Sequence, residues 1–298
     1  MARASTSYPQ GAATMAERVL PTWLQRLWPR RRKPVVPLLR LSGVIGSTSL
    51  RGTGLSFAAI NPALERAFKV RGAKAVALIV NSPGGSPVQS ALIAERIRAL
   101  AGEKDLPVLA FIEDVGASGG YWLALAADEI FAQATSIVGS IGVIHASFGF
   151  VDAIERLGIE RRIHTAGEKK SWLDPFRPQN ADDVARLDAI MGELHDIFKE
   201  TVRERRGPRL EGEDGDLFEG QIWTGRGAVE AGLIDGLGTV HEVLKGRFGD
   251  QVKLPQISTA KPWWQRRMGI AHGPDPRLMV DGVLDSLSER ALWARYGL

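Results

Sequence analysis

The chain has 298 residues, a formal net charge of +4 and no cysteine. The lack of cysteine excludes a disulfide framework, a thiolate nucleophile and cysteine-ligated zinc or iron–sulfur sites. Hydrophobic residues make up 44% and charged residues 24% of the chain, which is typical of a globular protein with one large core or two modest ones. Much of the positive charge lies in Arg30–Lys33, so it indicates a basic tail, and we expect no nucleic-acid partner.

The first 33 residues differ in composition from the rest. They contain no apolar run near the roughly 18 residues that a membrane span needs, and no signal-peptide core with a cleavage site. Four apolar side chains before the basic cluster could share one helical face and contact an anionic membrane surface: Trp23, Leu24, Leu27 and Trp28. The same apolar residues would also be explained by a flexible tail that packs on its own protein or that makes no contact. We therefore expect a cytoplasmic or peripheral membrane protein.

From Pro34 onwards, apolar runs rich in β-formers alternate with helical patterns. The strand-like runs are Val35–Leu41, Lys74–Val80 and Pro107–Ile112, and the continuous apolar character of the second is typical of a strand covered on both faces. Between them, helices are predicted at Asn61–Val70, with Asn61 as cap and Pro62 first in the helix, and at Gln89–Ala101. The alternation predicts an α/β fold with mainly parallel strands and packed helices.

Further along the chain, helical patterns dominate. Helices are predicted at Phe150–Leu157, Ala181–Arg206, Thr224–Ala231 and Thr239–Lys245, with a strand at Arg161–Thr165 and a polar loop at Ala166–Asn180. We expect three parts: the segment 1–33, a folded domain over 34–258, and an extension over 259–298 with an amphipathic helix at Val280–Ala294.

A run of very small residues, Gly116–Gly120, separates a predicted strand from the helix formers Leu123–Ala127. Such a turn lifts one side chain, here that of Ser118, into the open at a helix N-terminus, where backbone N–H groups favour negative charge. Ser118 could then be a nucleophile with oxyanion donors beside it. The alternative is a tight turn in which Ser118 only caps the helix.

A serine nucleophile needs a base, and none of the five histidines lies in a recognisable triad context. A lysine can replace histidine when its surroundings keep the amine neutral. Lys170 is a candidate because Trp172 and Leu173 could shield it from water, although a lysine in a polar loop is more often solvated. The adjacent ammonium group of Lys169 would favour loss of one proton.

Two other glycine-containing turns follow predicted strands. In Asn81–Gly85, the Gly84 N–H could approach a substrate carbonyl from one side while the Ser118–Gly119 turn approaches from the other. A Pro-Gly type II turn explains the same residues. In Val138–Val143, Ser140 could orient a lysine amine, or it could be a serine in a tight strand crossing.

These motifs resemble, in order and spacing, the signal peptide peptidase A (protease IV) family: Asn81–Gly85, Gly116–Tyr121, Gly139–Val143 and Lys170 ahead of Pro175. Trp223–Asp235 also looks like that family, and the similarity extends over roughly Val35–Leu244. The resemblance implies a serine–lysine dyad peptidase on a Clp-protease/crotonase-like α/β fold, with no metal or other cofactor. Short, single-domain members form homo-oligomeric rings in which serine and lysine can come from neighbouring subunits.

By motif position, Ser118 resembles the nucleophile and Lys170 the general base, Ser140 resembles the hydroxyl that positions the lysine, and Gly84 and Gly119 resemble the oxyanion-hole donors. Neutral Lys170 would take the Ser118 proton, an acyl-enzyme would form, and water activated by the same lysine would release it. The family's substrates are signal-peptide remnants and other unfolded peptides.

The resemblance is incomplete at the N-terminus, where typical members carry a transmembrane anchor and this chain has the Trp/Arg segment. Two other functions fit the same fold. One is a non-catalytic, membrane-associated assembly protein, which a serine-directed probe would not label. The other is a crotonase-like acyl-CoA enzyme, in which paired backbone donors bind a thioester enolate and which CoA binding would reveal.

Overall fold

The structure is a computed structural model and describes residues 33–46, 55–167, 169–259 and 290–297. The chain divides into two units, Met1–Lys33 and Pro34–Leu298, and all the elements below belong to the second. The helical face predicted at Trp23–Trp28 lies outside the described residues, as does most of the helix predicted at Val280–Ala294, of which 290–294 are described and helical. In the described ranges, no helix is both long and apolar enough to cross a membrane.

The described strands form one sheet: β1 (Leu38–Ser42), β2 (Val76–Ser82), β3 (Val108–Ala117), β4 (Glu129–Ala132), β5 (Ile137–Gly139), β6 (Ile222–Thr224), β7 (Gly236–Leu237) and β8 (Gln256–Ile257). Their order is β6-β5-β3-β2-β1-β8, and β4 pairs with both β3 and β7. The β5–β6 pair is antiparallel and the other pairs of these strands are parallel. The prediction of an α/β fold with mainly parallel strands is confirmed.

The following helices lie between these strands along the chain: α1 (Phe57–Phe68), α2 (Pro87–Lys104), α3 (Gly119–Leu125), α4 (Val151–Arg156), α5 (Ala181–Arg206), α6 (Asp214–Leu217), α7 (Gly225–Glu230) and α8 (Val240–Phe248). Side-chain caps start several of them. Ser86 caps α2, Asn180 caps α5, and Thr239 forms a capping box with Glu242 at α8. These short polar side chains satisfy N–H groups that have no partner within the helix.

Both faces of the central strands are buried. In β2, Val76, Leu78 and Val80 pack in a cluster that includes residues of α1, α2 and α3. The alternate residues Ala77 and Ile79 pack in a second cluster with residues of α8. Because side chains alternate along a strand, a strand covered on both faces must be apolar throughout, as the sequence of β2 is.

Two predicted elements differ from the structure. Helix α1 begins at Phe57 because Ser56, not Asn61, is the cap, with its Oγ accepting from the Ala59 N–H at 3.4 Å. Pro62 therefore lies inside the helix, where it removes one intrahelical hydrogen bond. The strand predicted at Arg161–Thr165 is wrong, because the segment pairs with none of the strands that the structure describes, and β-propensity alone cannot supply the missing hydrogen bonds.

Candidate active site

Strand β3 reaches Ser118 through a bulge. Val80 of β2 pairs with Ile112, whereas Ser82 pairs with Gly116, so the single residue Asn81 faces three residues of β3. Beyond the bulge, residues 115–117 of β3 pair with β5 instead of β4. The bulge thus bends β3 away from β4 and brings the C-terminal end of β3 beside β5.

Ser118 has the backbone conformation of a nucleophile elbow. Its φ of 51° and ψ of −123° are unusual for a residue with a side chain and cost about 1–3 kcal/mol. Its N–H donates to the Gly139 carbonyl at 2.8 Å, and its carbonyl accepts from the Trp122 N–H at 3.0 Å. The side chain makes no capping hydrogen bond to α3, so the capping alternative does not account for this hydroxyl.

The glycines around Ser118 allow backbone segments to pack directly on one another. A Cβ on Gly120 would lie 2.3 Å from the Ser82 carbonyl oxygen, and one on Gly116 would lie 2.9 Å from the Ile112 side chain. Both contacts are closer than a real Cβ tolerates. Gly120 is therefore required by the close approach of the end of β2 to the turn, and Gly116 by the position of the Ile112 side chain of β3.

The two glycines predicted as oxyanion donors lie next to Ser118. A Cβ on Gly84 would be 2.8 Å from the Ser118 Cβ and 3.0 Å from the Gly119 nitrogen. The Gly119 N–H is the first of α3 and has no acceptor within the helix. The Gly84 N–H donates to Ser82 Oγ at 3.2 Å, so it would have to share or exchange this bond to bind an oxyanion.

Ser140 follows β5 and lies beside the elbow, because its neighbour Gly139 accepts the Ser118 N–H. Ser140 also has a positive φ of 52°, and its N–H donates to the Gln221 carbonyl at 2.6 Å. Its Oγ accepts from the Tyr296 hydroxyl at 3.4 Å. The sequence gives no signal for this last contact, which joins residues 156 positions apart.

Lys170 lies in a turn between α4 and α5. Its side chain is exposed, and its N–H donates to the Gly167 carbonyl at 3.1 Å in a turn. Trp172 and Leu173 are only half-buried, so the shielding expected from them is not complete in a single chain. Among the described residues, no hydrogen bond joins the Lys170 amine to Ser118 or Ser140.

Lys169, the neighbour of Lys170, instead lines a separate cavity. This cavity has a volume of about 860 Å³ and lies between the lysine loop and the start of α5, with Trp172, Asp183 and Arg186 among its lining residues. Ser118 does not line it. We therefore do not identify this cavity with the site of the elbow.

Residues 142–197, called the arm below, lie along the chain between β5 and the buried end of α5. None of the described residues in this range is buried. Within the arm, the Phe150 and Phe176 rings stack at 5.5 Å, and Arg161 pairs with Asp174 at 3.4 Å. Four apolar side chains are more than half exposed: Ile144, Phe148, Leu157 and Ile159. Burial of these side chains against another surface would be favourable.

The C-terminal end of α5 is anchored in the core close to the elbow. The Phe198 ring stacks on Trp122 of α3 with 4.6 Å between centroids. The nearby His195 is engaged elsewhere, because its Nε2 lies 2.6 Å from the Phe218 carbonyl oxygen. Among the histidines considered as a base, His195 is therefore committed to a structural contact.

A buried ion pair fixes the end of α5. Arg206 is only 2% exposed, and it donates to the Gly232 carbonyl and to Asp235 Oδ2, both at 2.8 Å. Burial alone would raise the pKa of Asp235. The hydrogen bonds from Arg206 and the Ile130 N–H, with the charges of Arg206 and Arg209, outweigh burial and leave this pKa below its ordinary value.

Comparison with known proteins gives several matches. A protein of Brucella abortus named Na(+)/H(+) antiporter NhaA is 48% identical over 295 residues, covering 95% of this chain and 40% of that protein. The putative protease MJ0651 of Methanocaldococcus jannaschii is 35% identical over 172 residues, covering 58% of this chain and 54% of that one. The putative signal peptide peptidase SppA of Enterococcus faecium is 29% identical over 181 residues, covering 61% and 52%.

The chain thus spans about half or less of the length of these relatives, and ion transport is named only for the Brucella protein. The family model described as Peptidase family S49 matches residues 101–250, which include Ser118, Ser140 and Lys170. The mostly parallel sheet with packed helices fits the Clp-protease-like fold expected from the resemblance. Because this match covers just over half of the chain and agrees with protease-named relatives, the chain belongs to peptidase family S49, and its resemblance to the signal peptide peptidase A family is confirmed.

Proposed function

We propose that the chain is a serine endopeptidase that cleaves peptides through an acyl-enzyme on Ser118. The observation that carries this proposal is the strained elbow, whose hydroxyl makes no capping bond and has the Gly84 and Gly119 backbone beside it. A strained turn that serves only to connect a strand and a helix would not need an uncommitted hydroxyl between two amides. The same geometry suits attack on a carbonyl whose oxygen becomes an anion.

In the proposed reaction, Lys170 is the general base and Ser140 positions its amine. The neutral amine takes the Ser118 proton, and Ser118 Oγ attacks the peptide carbonyl to form a tetrahedral oxyanion held by the Gly84 and Gly119 N–H groups. Its collapse breaks the C–N bond, and the lysine returns the proton to the leaving amine. Water deprotonated by the same lysine then hydrolyses the ester and frees Ser118.

We further propose that Lys170 acts on Ser118 of a second copy of the chain. The support is that Lys170 is exposed in an arm without buried residues, while Ser118 lies at the core. Packing the apolar side chains of the arm on a neighbour would bury them and remove water from around the lysine. A ring of copies would allow every arm to reach a neighbouring site.

Unfolded polypeptides and signal-peptide remnants are the proposed substrates. The peptidase-named relatives support this class, and a cleft formed only when copies assemble would admit extended chains more readily than folded domains. A peripheral membrane contact through residues 1–33 is part of the proposal, since Trp23 and Trp28 precede the basic run Arg30–Lys33.

A fluorophosphonate probe tests this function directly. We expect the probe to label Ser118, as identified by mass spectrometry of the labelled peptide, and we expect the protein to cleave casein or a signal peptide. Ser118→Ala and Lys170→Ala should each reduce cleavage by at least about 1,000-fold, whereas Lys245→Ala, at an exposed position of α8, is the matched control for loss of one charge. Full activity of either dyad variant would refute the assignment, and CoA binding without labelling would favour the acyl-CoA alternative.

A further inference from the structure

The side chain of Asn81 on the neighbouring strand β2 makes two hydrogen bonds to the bulge of β3. Asn81 lies opposite the bulged residues 113–115. Its Oδ1 accepts from the Val115 N–H at 3.2 Å, and its Nδ2 donates to Asp114 Oδ2 at 2.7 Å. A bulge interrupts the backbone ladder, and the Asn81 amide supplies hydrogen bonds that the ladder of β2 does not.

The held residues lead directly to the elbow. From Val115, three residues of β3 pair with β5 in the register Val115–Ile137 to Ala117–Gly139. The next N–H, that of Ser118, donates to the Gly139 carbonyl. Pairing with β5 therefore holds every residue between the bulge and Ser118, and a shift of Val115 would move Ser118 as well.

We propose that Asn81 is a positioning residue for the reaction of Ser118, an inference that rests on the function proposed above. Asn81 touches neither Ser118 nor the proposed base, so it acts through the bulge. The contact needs an acceptor for the Val115 N–H and a donor for the Asp114 carboxylate on one short side chain. Asparagine provides both, because its amide carries a carbonyl oxygen and an NH₂ group.

An exchange of the two polar side chains tests this role. Asn81→Asp places a carboxylate against that of Asp114, so the pair loses its hydrogen bond and repels. Combining it with Asp114→Asn restores a complementary pair, because the new carboxylate can accept from both Val115 N–H and the new amide. Asn61→Asp on α1 is the matched control for this change of residue type.

The readouts are the rate of fluorophosphonate labelling, kcat and KM, all measured well below the temperature of unfolding. We expect N81D to lower the labelling rate and kcat by about 10- to 100-fold with little change in KM, since misplacing a nucleophile slows the chemical step. The double variant N81D/D114N should recover to within about three-fold of wild type, and N61D should match wild type.

The outcomes separate this inference from the proposed function. If wild type is not labelled at Ser118, the proposed function fails and the role of Asn81 falls with it. If wild type is labelled but N81D reacts at the wild-type rate, only the positioning role is wrong. The positioning role is also wrong if the double variant reacts as slowly as N81D, or if N81D changes KM instead of kcat.

Discussion

Gly84 approaches Ser118 so closely that a methyl group on Gly84 would come within 2.8 Å of the Ser118 Cβ. The φ of Gly84 is +106°, a conformation that glycine adopts easily and other residues rarely do. Two loops that are 34 residues apart along the chain therefore come into close contact at Ser118. The contact explains why the proposed oxyanion site needs glycine at this position.

Gly84→Ala should accordingly impair the reaction. The added Cβ must displace either Ser118 or the 84–85 loop, so we expect kcat/KM to fall by about 100-fold or more. Gly102→Ala is the control, because a Cβ there meets nothing within 4 Å, and this helical position should gain about 0.5–1 kcal/mol of stability. Peptide cleavage assays and urea unfolding of both variants test this, and an active G84A variant would contradict the proposed oxyanion geometry.

Mixing two inactive variants tests whether the dyad forms between copies. We expect co-assembled Ser118→Ala and Lys170→Ala chains to regain activity, because some sites then combine an intact serine with an intact lysine from the neighbour. Random mixing in equal amounts predicts about a quarter of the wild-type sites. A dyad within one chain predicts no recovery, so a mixture that refolds together and stays inactive would exclude the arrangement between copies.

The Arg206–Asp235 pair makes a prediction about acid stability. Asp235→Asn leaves Arg206 buried without its counter-charge and should lower the free energy of unfolding by about 3 kcal/mol at pH 7. Because the folded pKa of Asp235 is lowered, the contribution of its carboxylate is complete above the ordinary pKa of about 3.9 and is lost as pH falls through the folded value. The difference in free energy of unfolding between wild type and D235N should thus become smaller below about pH 4.

Urea unfolding at pH 7 and pH 3 measures this difference. Glu95→Gln, which changes a carboxylate at an exposed position of α2, is the comparison for a residue outside the core. If the difference in free energy of unfolding between wild type and D235N stays constant or grows on acidification, the pKa of Asp235 is not lowered by folding.

Tyr296→Phe probes the hydroxyl of Ser140. If the lysine amine of a neighbour binds Ser140 Oγ, the Tyr296 hydroxyl competes for the same oxygen at 3.4 Å. Removing one hydrogen bond worth about 0.5–1 kcal/mol should increase the labelling rate of Ser118 by about two- to five-fold. Arg295→Ala, at an exposed neighbouring position, should leave the rate unchanged, and a slower Y296F variant would show that Tyr296 supports Ser140.

The sequence predicted those features that depend on neighbours along the chain. The apolar run Lys74–Val80 predicted a strand buried on both faces, and Ala181–Arg206 was predicted with the bounds that the structure shows. In both cases the signal is local: a continuous apolar run predicts the strand, and apolar side chains spaced three and four residues apart predict the helix. The glycines beside Ser118 and Ser140 were likewise recognisable from their motifs.

Other features depend on contacts between distant segments and had no local signal. Nothing in the sequence near Asn81 indicated that it faces a bulge, because the register of β3 is set by pairing with two different strands. The false strand at Arg161–Thr165 has the opposite cause, since its residues favour β-structure but no described strand pairs with them.

By itself, the sequence determined the α/β class, the family and the order of the motifs that carry the candidate site, because periodicity, caps and glycines act over a few residues. Only the tertiary structure decided that Gly84, Gly119 and Ser140 meet at a strained Ser118 while Lys170 stays exposed on the arm. The physical reason is that these distances are set by strand register and core packing, which join residues far apart in the chain.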